Sequence, residues 1–140
     1  SFNAITFGII FCMLCTCNSG SHPGNVWPIM LGYVVASTVC GWLSALAGGD
    51  FTLAINAQAI AVGLCFANGL SPITSKYGWF WGMVAAVMHY LLVTSVPNLH
   101  GGYCLYNGGF TAAVICVILV PELERFCKTK QERKAVATQK

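Results

Sequence analysis

His89 is the side chain best placed to do chemistry in this sequence. It stands near the middle of an apolar run, Trp79 to Val96, four residues after Ala85 and seven after Gly82. A histidine in such a run is a candidate for proton transfer or solute contact, because polar groups there are costly. The plainer reading is a neutral imidazole bonded to a neighbouring hydroxyl or carbonyl, and the sequence leaves both open. Asn56 and Gln58 stand two positions apart in the run Phe51 to Asn68, so they point to nearly opposite sides of a helix. At least one must face a neighbour or a cavity. Bonding between helices would contribute about 0.6–2 kcal/mol per pair. His100 and Asn107 belong to a glycine-rich stretch from Pro97 to Gly109. Asn56, Gln58, His89, His100 and Asn107 together offer hydrogen-bond donors and acceptors without fixed charge. That is the inventory a path for a small polar solute or ion needs. In a proton-linked carrier His89 would be the titrating group, since unperturbed imidazole has a pKa of about 6.5.

Enzymatic constellations are missing. The sequence holds no Gly-rich nucleotide loop with a lysine, no His-Glu-x-x-His and no Gly-x-Ser-x-Gly elbow. Asp50 is a lone carboxylate after Gly48-Gly49, suited to capping a helix rather than to paired acid–base work. We therefore expect no catalytic residues and no cofactor. The eight cysteines include Cys12-x-x-Cys15-x-Cys17, but no second paired motif follows to complete a zinc site. They read as small apolar residues, and no metal is expected.

The elements that position these groups follow from where charge is missing. Residues 1 to 120 carry only Asp50 and Lys76 besides histidine, and the other nine charged side chains lie between Glu122 and Lys140. Hydrophobic residues make up 56% of the chain, charged ones 8%, and the mean hydropathy is +0.70. A water-soluble domain carries about a quarter of its residues as charges, so the expected solvent is lipid. The expected fold is all-α: a polytopic helical membrane protein with about five transmembrane helices. The expected spans are Ser1 to Cys17, Pro28 to Leu46, Phe51 to Asn68, Trp79 to Val96 and Phe110 to Phe126. Pro28 is expected at a first helical turn, Asn68-Gly69 and Pro97 as stops, and Pro121 as a kink or exit. The first run has no initiator Met or polar flank, which reads as the remainder of a longer helix. Asn18 to Pro28 and Pro97 to Gly109 each join a histidine to glycine-permitted turns. They are either surface turns or re-entrant segments lining a cavity.

Small residues at four-residue spacing let helices approach closely in lipid. Ser37, Gly41 and Ala45 form one such stripe; Ala59, Gly63 and Ala67 a second; Gly78, Gly82 and Ala86 a third. Three stripes imply a tight bundle, and beyond it a homo-oligomer or contact with the remainder of a longer parent chain. The tail after Phe126 is basic, and positive charge beside a span marks the cytoplasmic side. Lys76 gives the same side through the helix count. The expected location is the inner (cytoplasmic) membrane, with the C-terminus in the cytoplasm and the Leu99 to Gly109 loop outside. The partner is the lipid bilayer, and nucleic acid is not expected, because three acids dilute six cations in the segment beyond Pro121.

Ordered motifs carry a resemblance. They are His22-Pro23-Gly24-Asn25-Val26-Trp27-Pro28-Ile29-Met30-Leu31-Gly32, then Leu70-Ser71-Pro72-Ile73 with Tyr77-Gly78-Trp79-Phe80-Trp81-Gly82. Leu99-His100-Gly101-Gly102 follows, with Leu105-Tyr106-Asn107-Gly108-Gly109-Phe110 and Val120-Pro121. The chain resembles the C-terminal part of a bacterial family of multi-spanning membrane proteins of unknown function, found mainly among clostridia and relatives. The resemblance implies more spans in a longer parent and supplies no substrate. The functional expectation is a transporter or channel subunit for a small polar solute or ion. The alternative is a scaffold subunit whose polar groups only join helix to helix.

Overall fold

A computed structural model of the chain describes residues 4–18, 20–48, 58–99 and 107–138. Among these residues the structure is helical throughout, with no strand. The helices are α1 (Ala4–Asn18), α2 (Pro23–Ala47), α3 (Gln58–Ala67), α4 (Ser71–Tyr77), α5 (Trp79–Leu99), α6 (Asn107–Phe126) and α7 (Lys130–Thr138). A single 3-10 turn, Asn68–Leu70, joins α3 to α4. Five helices fall on the five expected runs, and α4 and α7 are additional.

Several boundaries differ from the sequence expectation. Helix α2 begins at Pro23, behind the N-cap His22, so Pro28 lies inside the helix rather than in its first turn. The side chain of Asn25 explains the early start: its Oδ1 accepts the His22 amide at 2.8 Å and satisfies an orphan donor. Within the stretch Asn18 to Pro28, residues 23–28 thus form the first turns of α2. Helix α3 does end at Ala67, before Asn68-Gly69 as expected, but the chain continues through the 3-10 turn into α4, with Pro72 in the first turn. Pro97 does not stop α5, which reaches Leu99. Pro121 lies inside α6, within the expected span. Glycine is required at Gly78, where φ of +119° turns α4 into α5.

The core is the seam between α2 and α5. Trp27 stacks on Trp79, Gly32 meets Ala86 and Met83, and Tyr33 meets Tyr90, so contacts advance in step and the two helices are parallel. A Cβ at Gly32 would come within 2.7 Å of the Ala86 Cβ and 2.8 Å of the Met83 carbonyl oxygen. Only glycine admits that approach. Ala36, Ala85 and Ala86 extend the small-residue seam. Of the expected stripe Ser37, Gly41 and Ala45, only Ser37 meets α5, through the Tyr90 hydroxyl. A Cβ at Gly41 would meet nothing within 4 Å, and Ala45 is exposed. The other two stripes do pack, in part: Gly63 against Val93, and Gly82 against Thr74. Ala59 lies beyond the described side chains.

Helix α6 runs the opposite way to α5, because its start touches the middle of α5 while Glu124 near its end reaches Lys76 at 2.8 Å. The outer surface of α1, α2, α5 and most of α6 is apolar. Phe7, Phe11, Leu14, Val34, Trp42, Leu43, Phe80, Val117 and Ile118 are all exposed. Two helices, α2 and the Trp79–Val96 part of α5, are long and apolar enough to cross a membrane.

Candidate functional site

His89 is fully buried on α5, at the level where four helices meet. Tyr33 of α2 offers its hydroxyl to Nδ1 in a hydrogen bond, and Tyr90 packs edge-on to the Tyr33 ring at 5.7 Å. Nε2 lies 2.9 Å from the Gly108 carbonyl oxygen and 3.0 Å from Thr111 Oγ1, both in the first turns of α6. Thr111 also donates its hydroxyl proton to the Gly108 carbonyl at 3.0 Å. One tautomer closes this network. A carbonyl can only accept, so Nε2 carries the proton, and Nδ1 accepts from Tyr33. The result joins α2, α5 and α6 through a single ring.

Two glycines make room for it. A Cβ at Gly108 would lie 2.5 Å from Phe66 Cδ2, so α6 can begin against α3 only with glycine there. A Cβ at Gly63 would sit 3.4 Å from the Tyr33 hydroxyl, so α3 closes the fourth side. The depth of the site follows from helix lengths. Helix α5 continues ten residues beyond His89, about 15 Å at the rise of an α-helix. Helix α6, by contrast, starts at Asn107, level with His89. The 3-10 interruption is close by, since a Cβ at Gly69 would touch the Ala112 Cβ at 4.0 Å. One interrupted helix and one late-starting helix therefore meet half-way along α5.

A second polar cluster lies where α2 begins. Ser21 Oγ is 2.9 Å from Ser71 Oγ, and Asn25 Nδ2 donates to Ser75 Oγ at 2.9 Å and to the Gly20 carbonyl at 3.0 Å. Two hydroxyls on α4, Thr74 Oγ1 and Tyr77 Oη, are buried without a hydrogen-bond partner. The Thr74 hydroxyl instead sits over the bare Cα of Gly82, where a Cβ would be 2.0 Å away.

Of the five residues picked from sequence, His89 alone has a described side chain. Gln58 is the first residue of α3 and Asn107 the first of α6; their side chains, and all of Asn56 and His100, lie outside the described residues. So does Asp50 with its expected capping role. The partners of His89 that sequence reading missed are Tyr33 and Thr111. Each was legible only as a polar-tipped residue beside a glycine or a turn within an apolar run. Among the described residues no three His, Cys, Asp or Glu side chains converge, so no metal ligands can be named.

A family described as "Protein of unknown function (DUF1576)" matches residues 1–125. No curated protein and no solved structure matches the chain.

Proposed function

The chain belongs to the DUF1576 family, and on that premise we propose that it is a transporter or channel subunit for a small polar solute or ion. In this reading it is a polytopic protein of a bacterial inner membrane. The carrying observation is the meeting of the α6 start and the 3-10 break beside His89. Backbone interrupted at membrane depth is tolerated where protein or a watery cavity lines it. Many transporters place their sites at such discontinuous helices. The apolar exterior of α2, α5 and α6 supports lipid as the surrounding medium. The cluster at Ser21, Asn25, Ser71 and Ser75 would lie toward the cytoplasmic end, with Lys76 and the basic tail, and the Asn107 approach toward the other. Gln58 and Asn107, at the starts of α3 and α6, are the remaining described positions of the proposed path.

A second reading, a scaffold subunit, draws on a different observation. His89 has both ring nitrogens bonded and no exposed surface. Proteoliposome flux separates the two. Wild type should admit glycerol, urea or ammonium faster than empty vesicles, and His89→Gln should keep passive flux while losing any pH-driven accumulation. Wild-type vesicles no more permeable than empty ones to every probe, with variants altered only in stability, would leave the scaffold.

A further inference from the structure

We propose that the elbow between α4 and α5 is a docking site for the anionic headgroup of a membrane phospholipid. Lys130 and Arg133 supply the charge, and the Trp27–Trp79 pair supplies the seat. The inference rests on the membrane reading above. At the elbow, Gly78 leaves no side chain, and the Lys130 stem lies over it, with Cε 3.7 Å from where a Cβ would be. Arg133 donates from Nη2 to the Tyr77 carbonyl at 2.6 Å. One guanidinium has five N–H donors, so this anchor leaves several to reach an anion. The basic face of α7 is thereby held against the start of α5.

Trp79 follows directly, stacked on Trp27 with ring centres 6.3 Å apart, and Phe80 meets Trp79 edge-on at 6.2 Å. These rings are about half exposed: 48% for Trp27, 54% for Trp79 and 52% for Phe80. Indoles at the ends of apolar helices belong at the headgroup level of a bilayer. Three carboxylates stand near. Glu124 is taken up by Lys76. Glu132 is turned back onto the amide and hydroxyl of Thr129 at 2.7 and 3.0 Å. Glu122 is exposed on α6. Among the described residues Lys76–Glu124 is the one ion pair, so no described carboxylate lies in ion-pair range of the exposed Lys128, Lys130, Arg133 and Lys134, and of these four only Lys128 acts on Glu132 from further off. Cations beside an aromatic seat at a helix end fit a lipid phosphate. An inorganic polyanion would leave the indoles uncovered.

The test uses the full chain in nanodiscs of phosphatidylcholine with a minor share of phosphatidylglycerol. Brominated acyl chains are carried on one lipid or the other, and tryptophan quenching in a Trp42→Phe/Trp81→Phe background, used for every chain compared, reads which sits at the Trp27 and Trp79 rings. Brominated phosphatidylglycerol should quench more strongly than its share in the mixture predicts. Loss of that preference in Lys130→Gln/Arg133→Gln is expected, at about fivefold in local enrichment per cation removed. Lys130→Gln alone leaves the α7 anchor in place and should show a partial loss. Equal quenching by both lipids in wild type, or an unchanged preference in Lys130→Gln and the double variant, overturns the proposal. Displacement of the quenching lipid by a short oligonucleotide at constant ionic strength overturns it in favour of nucleic acid. Failure to enter neutral bilayers at all sinks the membrane reading itself, and this inference with it.

Discussion

His89 illustrates what a single buried ring can hold. Its two nitrogens serve Tyr33 on one side and the start of α6 on the other, so each substitution has a distinct signature. Tyr33→Phe removes one donor and leaves Nδ1 unpaired; the expected cost is about 0.6–2 kcal/mol, the range for a bond between membrane helices. His89→Leu strips all three partners at once and should cost more than either Tyr33→Phe or Thr111→Val. Unfolding in mixed micelles measures the series, and equal stability of His89→Leu and wild type would remove the ring from the fold's support. The residue was legible from sequence, because a histidine in a charge-free run is rare enough to stand out. Its partners were not: tyrosine and threonine in apolar helices are too common to mark, and only the approach of α2 and α6 singles them out.

At the scale of elements, glycines decide which faces pack. Gly32→Ala should loosen the α2–α5 seam, because the added methyl meets a backbone carbonyl that cannot swing aside; overpacking of this kind costs about 1–3 kcal/mol. Gly41→Ala meets open space and should be neutral or slightly stabilising, since alanine favours helix by up to about 1 kcal/mol. Unfolding of the two variants side by side checks the assignment, and a larger loss in Gly41→Ala would reverse it. Gly82→Ile should be worse than Gly32→Ala, with the Thr74 hydroxyl already occupying the space of a Cβ. Helix α7 answers to pH instead. The amide and hydroxyl of Thr129 hold the Glu132 carboxyl below the usual carboxylate range. Its contribution is therefore present above that range and is lost as pH falls through the lowered value. Protection factors of the α7 amides, corrected for the intrinsic slowing of exchange at lower pH, should fall on acidification in wild type. In Glu132→Gln that acid-side change should be absent; an identical acid response in both would show that the cap is not responsible.

For the whole molecule, the N-terminal end of α2, helix α4 and the tail share one end, as Asn25–Ser75 and Arg133–Tyr77 show. The proposed topology puts that end in the cytoplasm. An impermeant maleimide applied outside cells should label Cys104 and spare a cysteine placed at the exposed Gln131; labelling of the tail alone would invert the orientation. The same exterior bears on assembly, since α1 and α2 present broad apolar faces. Mass measurement in mild detergent is expected to show more than one copy. A strict monomer would leave those faces to lipid.

The sequence by itself determined that the chain is helical and where its long helices lie, because runs of that length without charge or period-two alternation satisfy their backbone in no other simple way. It also brought out His89 and the two small-residue stripes on α3 and α5. Helix limits escaped it at two prolines: the Asn25 side-chain bond starts α2 ahead of Pro28, and α5 runs through Pro97 to Leu99. Tertiary structure alone decided that α2 packs through Gly32 rather than Gly41, and that α6 begins half-way along α5. The reason is geometric. Each helix offers several faces of nearly equal character, and which one is used depends on the shape of the neighbour that meets it.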